Sequence, residues 1–372
     1  MNAFADIAII GTHGLPVKHG GFETFAEHIS EEFAKKGKKV LVVGDSSSTT
    51  NYNYKPLTKT QSIKVSKKKN PLIFYLYSLC LVYYKGVRIV IMTGVGGALF
   101  IPIFSLLGMK IFLNPDGLGY LRTKYSWGER KLFGVLYWLA SKLSSNMIFD
   151  SDGVKSLFDS KFKFKGQSAV IEYGAKKETV ENQNEYLRAL MLRHDLDLKR
   201  ETFHLIVARL EPENNVETII KGYSMLNRKW PLVIVGPMNT AHYEQLSNYS
   251  DRVKFIGGIY DKKELLSLRK NCGAYWHGHS VGGTNPSLLE AMVNGNVCCC
   301  HDNIFNRSTL GENDFYWKTQ QDVSKIISRL ESSFELSERE FVARLNERII
   351  MDRFTWEIIG DKYFHVLFNA KA

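Results

Sequence analysis

The chain has 372 residues, of which 44% are hydrophobic and 23% charged, too long for one ordinary core and unlike a disordered tract. Its five cysteines, Cys80, Cys272 and the run Cys298, Cys299 and Cys300, show no paired spacing, which argues against a disulfide framework or a zinc site. The formal net charge of +11 is one-sided: residues 1–172 carry 23 Lys+Arg against 12 Asp+Glu, and the other 200 residues carry 26 of each.

Positive charge gathered in one half points to an anionic partner: a membrane surface, a phosphorylated acceptor or a nucleic acid. The N-terminus opens on Asp6 and an apolar run of strand length, so no secretory leader is expected. No apolar run reaches about 18 residues, so no spanning helix is expected either. The nearest is the tyrosine-rich stretch from Asn70 to Gly86.

In chain order, DIAII (Asp6–Ile10) reads as a buried strand. Phe22, Phe25, Ala26, Ile29 and Phe33 then recur at helical spacing, and Gly37 closes that helix before a second strand, KVLVVG. Further strands are expected at 62–65, 88–94, 110–114, 146–151 and 168–174, with helices between most of them. A polar, irregular stretch reads as a connection over residues 175–201. The rhythm restarts with strands at 203–210, 231–237, 253–258, 274–280 and 296–302, and helices close the chain. Short apolar runs alternating with helices imply parallel strands joined by crossovers. The expectation is therefore α/β, with two doubly wound domains facing across a cleft and ligands at the carboxyl ends of their strands. The expected boundaries are 1–174, 175–201, 202–352 and 353–372.

One turn stands out. HSVGGTNPSLLEAMVNGN (His279–Asn296) follows a strand and opens a helix. Pro286 suits the first helical turn, Thr284 or Asn285 can cap it, and Gly282 and Gly283 let backbone approach a ligand. Amides at a helix start favour an anion such as phosphate. Glu290, a turn further on, would repel a touching phosphate but suits a ribose diol; a capped helix with an exposed glutamate is the alternative. Arg209 in VARLEPENN ends the first strand of the second half, and a buried-strand arginine needs a phosphate or a carboxylate. GTHGLPVKHGGFE (Gly11–Glu23) joins the first strand to the first helix. It is neither GxGxxG nor a Walker loop, which speaks against a nicotinamide dehydrogenase, and Gly20 and Gly21 put amides before a helix.

Together these motifs, with NPDGLGYLRTKYSW (Asn114–Trp127) and the tail FTWEIIGDKYFHVLF, resemble glycosyltransferase family 4 of the GT-B fold. More narrowly they are similar to its bacterial rhamnosyltransferase-like branch. The resemblance covers nearly the whole chain. It implies two Rossmann-like domains and a closing helix that returns to the first. It also implies Arg209 on the donor diphosphate, Glu290 on the ribose, and the backbone of Gly283, Thr284, Asn285, Ser287 and Leu288 against the phosphates. Gly20 and Gly21 would close over them, and Ile259 and Tyr260 would flank the base. Two departures stand out: Gly282 where the family has a second glutamate, and Asn214 where it has a lysine. A sugar site lacking that carboxylate suits a 6-deoxy sugar such as rhamnose.

Asp116 follows a strand, so it would orient or deprotonate an acceptor hydroxyl; an Asx turn at PDG is the competing explanation. Arg122 and Lys124 are candidates for an acceptor phosphate, with solvated charges as the alternative. His277 and His279 alternate on one strand but lack a third ligand, so no metal is expected, and His279 would line the donor site. No resident cofactor is expected, because the nucleotide sugar is a co-substrate. Lys64, Lys67, Lys68 and Lys69 beside Phe74, Tyr75, Tyr77, Tyr83 and Tyr84 resemble an interfacial contact, with a core helix as the alternative. The implied protein is cytoplasmic and peripheral on the inner membrane face, with a lipid-linked glycan as acceptor. Rival readings are a nucleic-acid-binding protein using the basic half, or a catalytically weakened sugar-nucleotide binder; no nucleic acid is expected.

Overall fold

A computed structural model describes residues 4–16, 20–45, 52–179, 181–225, 227, 230–239, 241–246, 252–312 and 314–369. The chain divides into two compact units, Met1–Gly174 with Trp356–Ala372, and Ala175–Thr355.

The first unit contains β1 (Ile7–Ile10), α1 (Gly21–Lys35), β2 (Val40–Asp45), β3 (Tyr52–Lys55), β4 (Thr58–Ile63), α2 (Pro71–Tyr84) and β5 (Ile89–Thr93). It continues through α3 (Ile101–Leu106), β6 (Lys110–Asn114), α4 (Trp127–Leu143), β7 (Asn146–Phe149), α5 (Asp152–Phe162) and β8 (Gln167–Val170). Its eight strands lie in the order β3-β4-β2-β1-β5-β6-β7-β8. All pair in parallel except the β3–β4 hairpin. β1 and β2 are buried at every position, as strands covered on both faces must be. The strand expected at 62–65 overlaps β4, which is only alternately buried; β3 and the hairpin escaped the sequence reading because they are polar.

The second unit opens with α6 (Gln183–His194) inside the stretch expected to be irregular. It then runs β9 (His204–Val207), α7 (Val216–Ser224), β10 (Leu232–Val235), α8 (Ala241–Leu246), β11 (Val253–Phe255), α9 (Lys262–Asn271) and β12 (Ala274–His277). α10 (Pro286–Val293), β13 (Cys298–His301), α11 (Ile304–Leu310), β14 (Tyr316–Trp317), α12 (Gln320–Ser332) and α13 (Leu336–Arg353) complete it. The six strands are parallel, in the order β11-β10-β9-β12-β13-β14. The last helix, α14 (Trp356–Phe364), belongs to the first unit, where Tyr363 lies 5.1 Å from Phe25 of α1 and Trp356 stacks on His28 at 4.6 Å.

Each core is a layer of aliphatic strand residues under helices. In the second unit Trp276 and Trp317 anchor it, and truncating either to Ala would cost about 3–5 kcal/mol. A buried relay runs through this core: Trp276 donates to His204 Nδ1 at 3.1 Å, and His204 Nε2 lies 3.2 Å from Glu331. With Nδ1 accepting, the neutral ring carries its proton on Nε2 and donates it to the carboxylate. Cys298, Cys299 and Cys300 fill β13, and burial pushes their thiols well above the usual range, so they act as small hydrophobes. Among the described residues no helix is long and apolar enough to cross a membrane.

Candidate functional site

The order of the second sheet reverses at β9: the chain moves outward to β10 and β11, then returns to place β12 on β9's other side. Such a switch point, at the carboxyl ends of β9 and β12, is where open α/β sheets bind ligands. Both following loops are fastened there. Asn215 donates to the Gly278 carbonyl at 2.7 Å, and Ser280 donates to the Glu213 carbonyl through its amide at 3.0 Å and its hydroxyl at 2.9 Å. A Cβ at Gly278 would meet the Asn214 carbonyl at 2.0 Å, so only glycine permits this approach.

Arg209 sits on the first of these loops. The expected buried-strand arginine is corrected: β9 ends at Val207, and Arg209 is exposed at the edge. Its carbonyl accepts from the Asn214 side chain at 2.7 Å, so the residue in the family's lysine position shapes the loop.

The second loop feeds α10, which Asn285 caps by accepting from the Ser287 amide at 2.9 Å, with Pro286 in the first turn. Gly282 has φ +141°, a conformation a glutamate would rarely adopt. Leu288 donates its amide to the Asn285 carbonyl at 3.0 Å, so the Ser287 and Leu288 amides, expected to meet phosphate, are used inside the turn. The Ser287 hydroxyl also points inward, 2.7 Å from the Tyr275 hydroxyl and 3.3 Å from the Val207 carbonyl it donates to. That last bond ties the start of α10 to the end of β9 and so brings the Arg209 and Glu290 segments to one edge.

Glu290 is half exposed, and its Oε2 lies 2.7 Å from the guanidinium of Arg269 on α9. Arg269 is almost wholly buried and also donates to the Ser287 hydroxyl at 3.0 Å. Sequence reasoning missed Arg269, since 21 residues separate it from Glu290 and only the α9–β12–α10 path makes them neighbours. His279 is half-buried; its ring stacks on His277 at 4.4 Å, and its carbonyl accepts from Asn303 and Asn306 at 3.0 Å each. His277 is buried with neither ring nitrogen hydrogen-bonded among the described residues, and burial, then the charge of His279, holds its pKa well below the usual value. Ile259 and an exposed Tyr260 lie in the loop that follows β11 at the same edge. Among the described residues no group of three or more His, Cys, Asp or Glu could hold a metal.

At the carboxyl edge of the first sheet, Asp116 follows β6 with φ +65°. The Asx turn is there, but Asn114 makes it, its Oδ1 accepting from the Asp116 amide at 2.9 Å. Tyr137 pins the turn: its hydroxyl lies 3.1 Å from the Pro115 carbonyl and 3.2 Å from that of Gly117, and accepts from the Gly119 amide at 3.1 Å. β6 pairs with β7 in a register that matches Leu113 to Met147. Past the strand ends, the charge of Asp116 acts on Asp150, a residue the sequence reading did not single out. Asp150 is buried, and its pKa is pushed up to about 7, first by burial and then by the charge of Asp116. Arg122 opposes the shift, so its charge faces the same cluster. Lys124 is half-buried, with its ammonium 5.2 Å from the Tyr125 ring.

Two expectations in this unit are corrected. Lys67 is not part of an outward basic flank: its ammonium donates to the Gly11 carbonyl, and burial lowers its pKa. Phe74 and Tyr75 are core residues, leaving only Tyr77 and Tyr84 of the named aromatics exposed. At the start of α1, Gly20 and Gly21 are exposed, with a carboxylate beside them. Glu23 lies there, accepting from the His13 amide at 2.7 Å, and a Cβ at Gly20 would meet its Oε2 at 2.1 Å. Residues 17–19 of that loop lie outside the described residues.

Residues 4–176 match the family described as "domain of unknown function (DUF1972)", and residues 192–349 match "glycosyl transferases group 1". No curated protein matches the chain. Among solved structures it is similar to sucrose-phosphate synthase from Thermosynechococcus elongatus, with a TM-score of 0.77 and 14% identity over 98% of this chain and 99% of that one. A glycosyltransferase from Rickettsia africae gives 0.74 and 12% over 99% of each chain. Anabaena HepE in complex with UDP gives 0.70 and 14% over 98% of this chain and 100% of that one. These likenesses establish the two-domain GT-B fold. With a glycosyl transferases group 1 domain in its second unit, the chain is a glycosyltransferase of the GT-B type.

Proposed function

We propose that the protein moves a sugar from a nucleotide diphosphate sugar to a hydroxyl of a lipid-linked or growing cell-surface polysaccharide. We assign it to family 4, in the rhamnosyltransferase-like branch, with retention at the anomeric carbon. The observation that carries this reading is the switch point of the second sheet, where the Arg209 loop and the turn before α10 are fastened together. That UDP is bound in the similar HepE supports a nucleotide-sugar donor.

As the glycosidic bond breaks, the leaving diphosphate gains charge. Arg209 and the turn before α10 are preorganised to stabilise this charge more in the transition state than in the ground state. Arg269 fixes one oxygen of Glu290 and leaves the other for the ribose diol. Ile259 and Tyr260 flank the base, and His279 lines the sugar. Gly282 supplies no carboxylate to that sugar, which suits rhamnose. At the helix start behind Gly20 and Gly21 a carboxylate, Glu23, is already in place.

On the acceptor side Asp116 orients the hydroxyl or takes its proton. Burial and the charge of Asp116 raise the pKa of Asp150 to about 7, so Asp150 holds a proton up to about neutral pH at this edge. Arg122 and Lys124 meet an acceptor phosphate. The basic first unit binds peripherally to the inner membrane face, where such an acceptor is presented.

The test is incubation with UDP-, dTDP- and GDP-sugars and a lipid-linked acceptor, read by mass spectrometry. Release of one nucleotide with a mass gain on the acceptor is the expected result. Release from none, together with salt-dependent binding of RNA or DNA, would favour the nucleic-acid reading instead.

A further inference from the structure

α4 carries an outward stripe that nothing in the donor or acceptor chemistry uses. Trp127, Lys131, Val135 and Trp138 recur four, four and three residues apart, one face of a helix. Trp127 is 67% and Trp138 51% exposed, whereas Tyr137 and Ala140 on the opposite face are buried. Beside the stripe lies a groove of about 580 Å³, lined by Tyr120, Trp127, Arg130, Lys131, Trp138 and Lys161 among others. No acidic residue lines it.

The cations of this groove are not neutralised by their own helices. Glu129, next to Arg130, folds back to accept from the Ser126 amide at 2.8 Å and hydroxyl at 2.7 Å. Asp159, on the helix of Lys161, pairs with Lys155 at 2.9 Å. Among the described residues Arg130, Lys131 and Lys161 form no ion pair, and the Arg130 Nε is buried without a hydrogen bond. Two of the three lie over aromatic rings instead, Lys131 3.8 Å from Trp127 and Lys161 3.7 Å from Tyr120.

Exposed tryptophans set among unpaired cations suit the boundary of an anionic bilayer: indoles seat at the headgroup level while lysine and arginine meet phosphate. A protein partner would need carboxylates opposite three cations and an apolar surface opposite two indoles, whereas a phospholipid surface offers both layers at once. We infer that the α4 groove is the membrane-docking surface of this protein and that it takes the phosphate headgroups of an anionic bilayer. This rests on the membrane association proposed above and moves its centre from the lysines before α2 to α4.

Vesicle flotation of the full chain tests it, with anionic phosphatidylglycerol vesicles against neutral phosphatidylcholine ones. The wild type floats with the anionic vesicles only. Neutralising the three cations together (Arg130→Gln, Lys131→Gln, Lys161→Gln) weakens this on the order of a hundredfold, at about one charge's worth of attraction per residue. Trp127→Ser with Trp138→Ser also weakens it, and the remaining binding then becomes more sensitive to salt. Trp127, Lys131, Trp138 and Lys161 are exposed and Arg130 is half-buried, so circular dichroism should be unaltered and donor turnover retained. If the triple variant floats like the wild type while a Lys64, Lys68 and Lys69 variant does not, the groove is refuted and membrane association stands. A wild type that does not float refutes both, and full displacement by millimolar inorganic phosphate would mark a site for small anions instead of a bilayer.

Discussion

At the carboxyl edge of the second sheet, the loops after β9 and β12 are joined by neutral hydrogen bonds, and Arg209 is exposed at the rim. At the same edge of the first sheet, the segments after β6 and β7 bring two carboxylates into electrostatic range, one of them buried with its pKa pushed up to about 7. The two edges share one architecture and opposite chemistry. Fixed donors suit a ligand whose negative charge is permanent or growing, as a leaving diphosphate is. Coupled carboxylates suit a ligand that must give up or share a proton, as an acceptor hydroxyl must. A parallel sheet fixes where a ligand sits, and the residues just past the strand ends decide what it is.

Breaking the proton-handling edge should have the largest effect. Asp116→Asn is expected to lower kcat by about 10²- to 10⁴-fold with the donor KM nearly constant. An unaltered rate would leave that segment with only its Asn114 turn. Asp150→Asn should separate the two edges by stability. The folded chain holds a proton on Asp150 up to about pH 7, whereas the unfolded chain releases it near pH 4, so this group lowers stability as pH rises through that window and by a constant amount above it. Relative to the wild type, the variant should therefore gain on the order of 4 kcal/mol between pH 4 and pH 8 by urea unfolding. A difference independent of pH would mean Asp150 ionises normally.

The donor edge can be sharpened with a smaller change. Arg269→Gln and Glu290→Gln should each raise the donor KM about tenfold with little change in kcat, as loss of ground-state binding predicts. The double variant should be no worse than either single one, because the two side chains act as a pair. Additive losses would mean that Arg269 supports the fold and leaves Glu290 to act alone.

What was legible in the sequence was local. The β/α rhythm, the Pro286 start of α10 and its Asn285 cap are set by residues within one turn of each other. What was hidden was tertiary. Arg269 meets Glu290 across a strand and a loop, and the charge of Asp116 reaches Asp150 only because β6 and β7 lie side by side. Lys67 looked like its lysine neighbours until its ammonium turned in to the Gly11 carbonyl. Arg209 reversed the usual error: an apolar run suggested a longer strand, but the strand stops where the loop must bend toward Gly278.

The central claim is that Arg209 and the turn before α10 hold a nucleotide diphosphate. Isothermal titration of UDP, dTDP and GDP into the wild type and into Arg209→Ala tests it without an acceptor or a membrane. One nucleotide should bind the wild type, and the variant should lose about ten- to a hundredfold in affinity. Equal affinity in both proteins, or no binding by the wild type, would contradict the account.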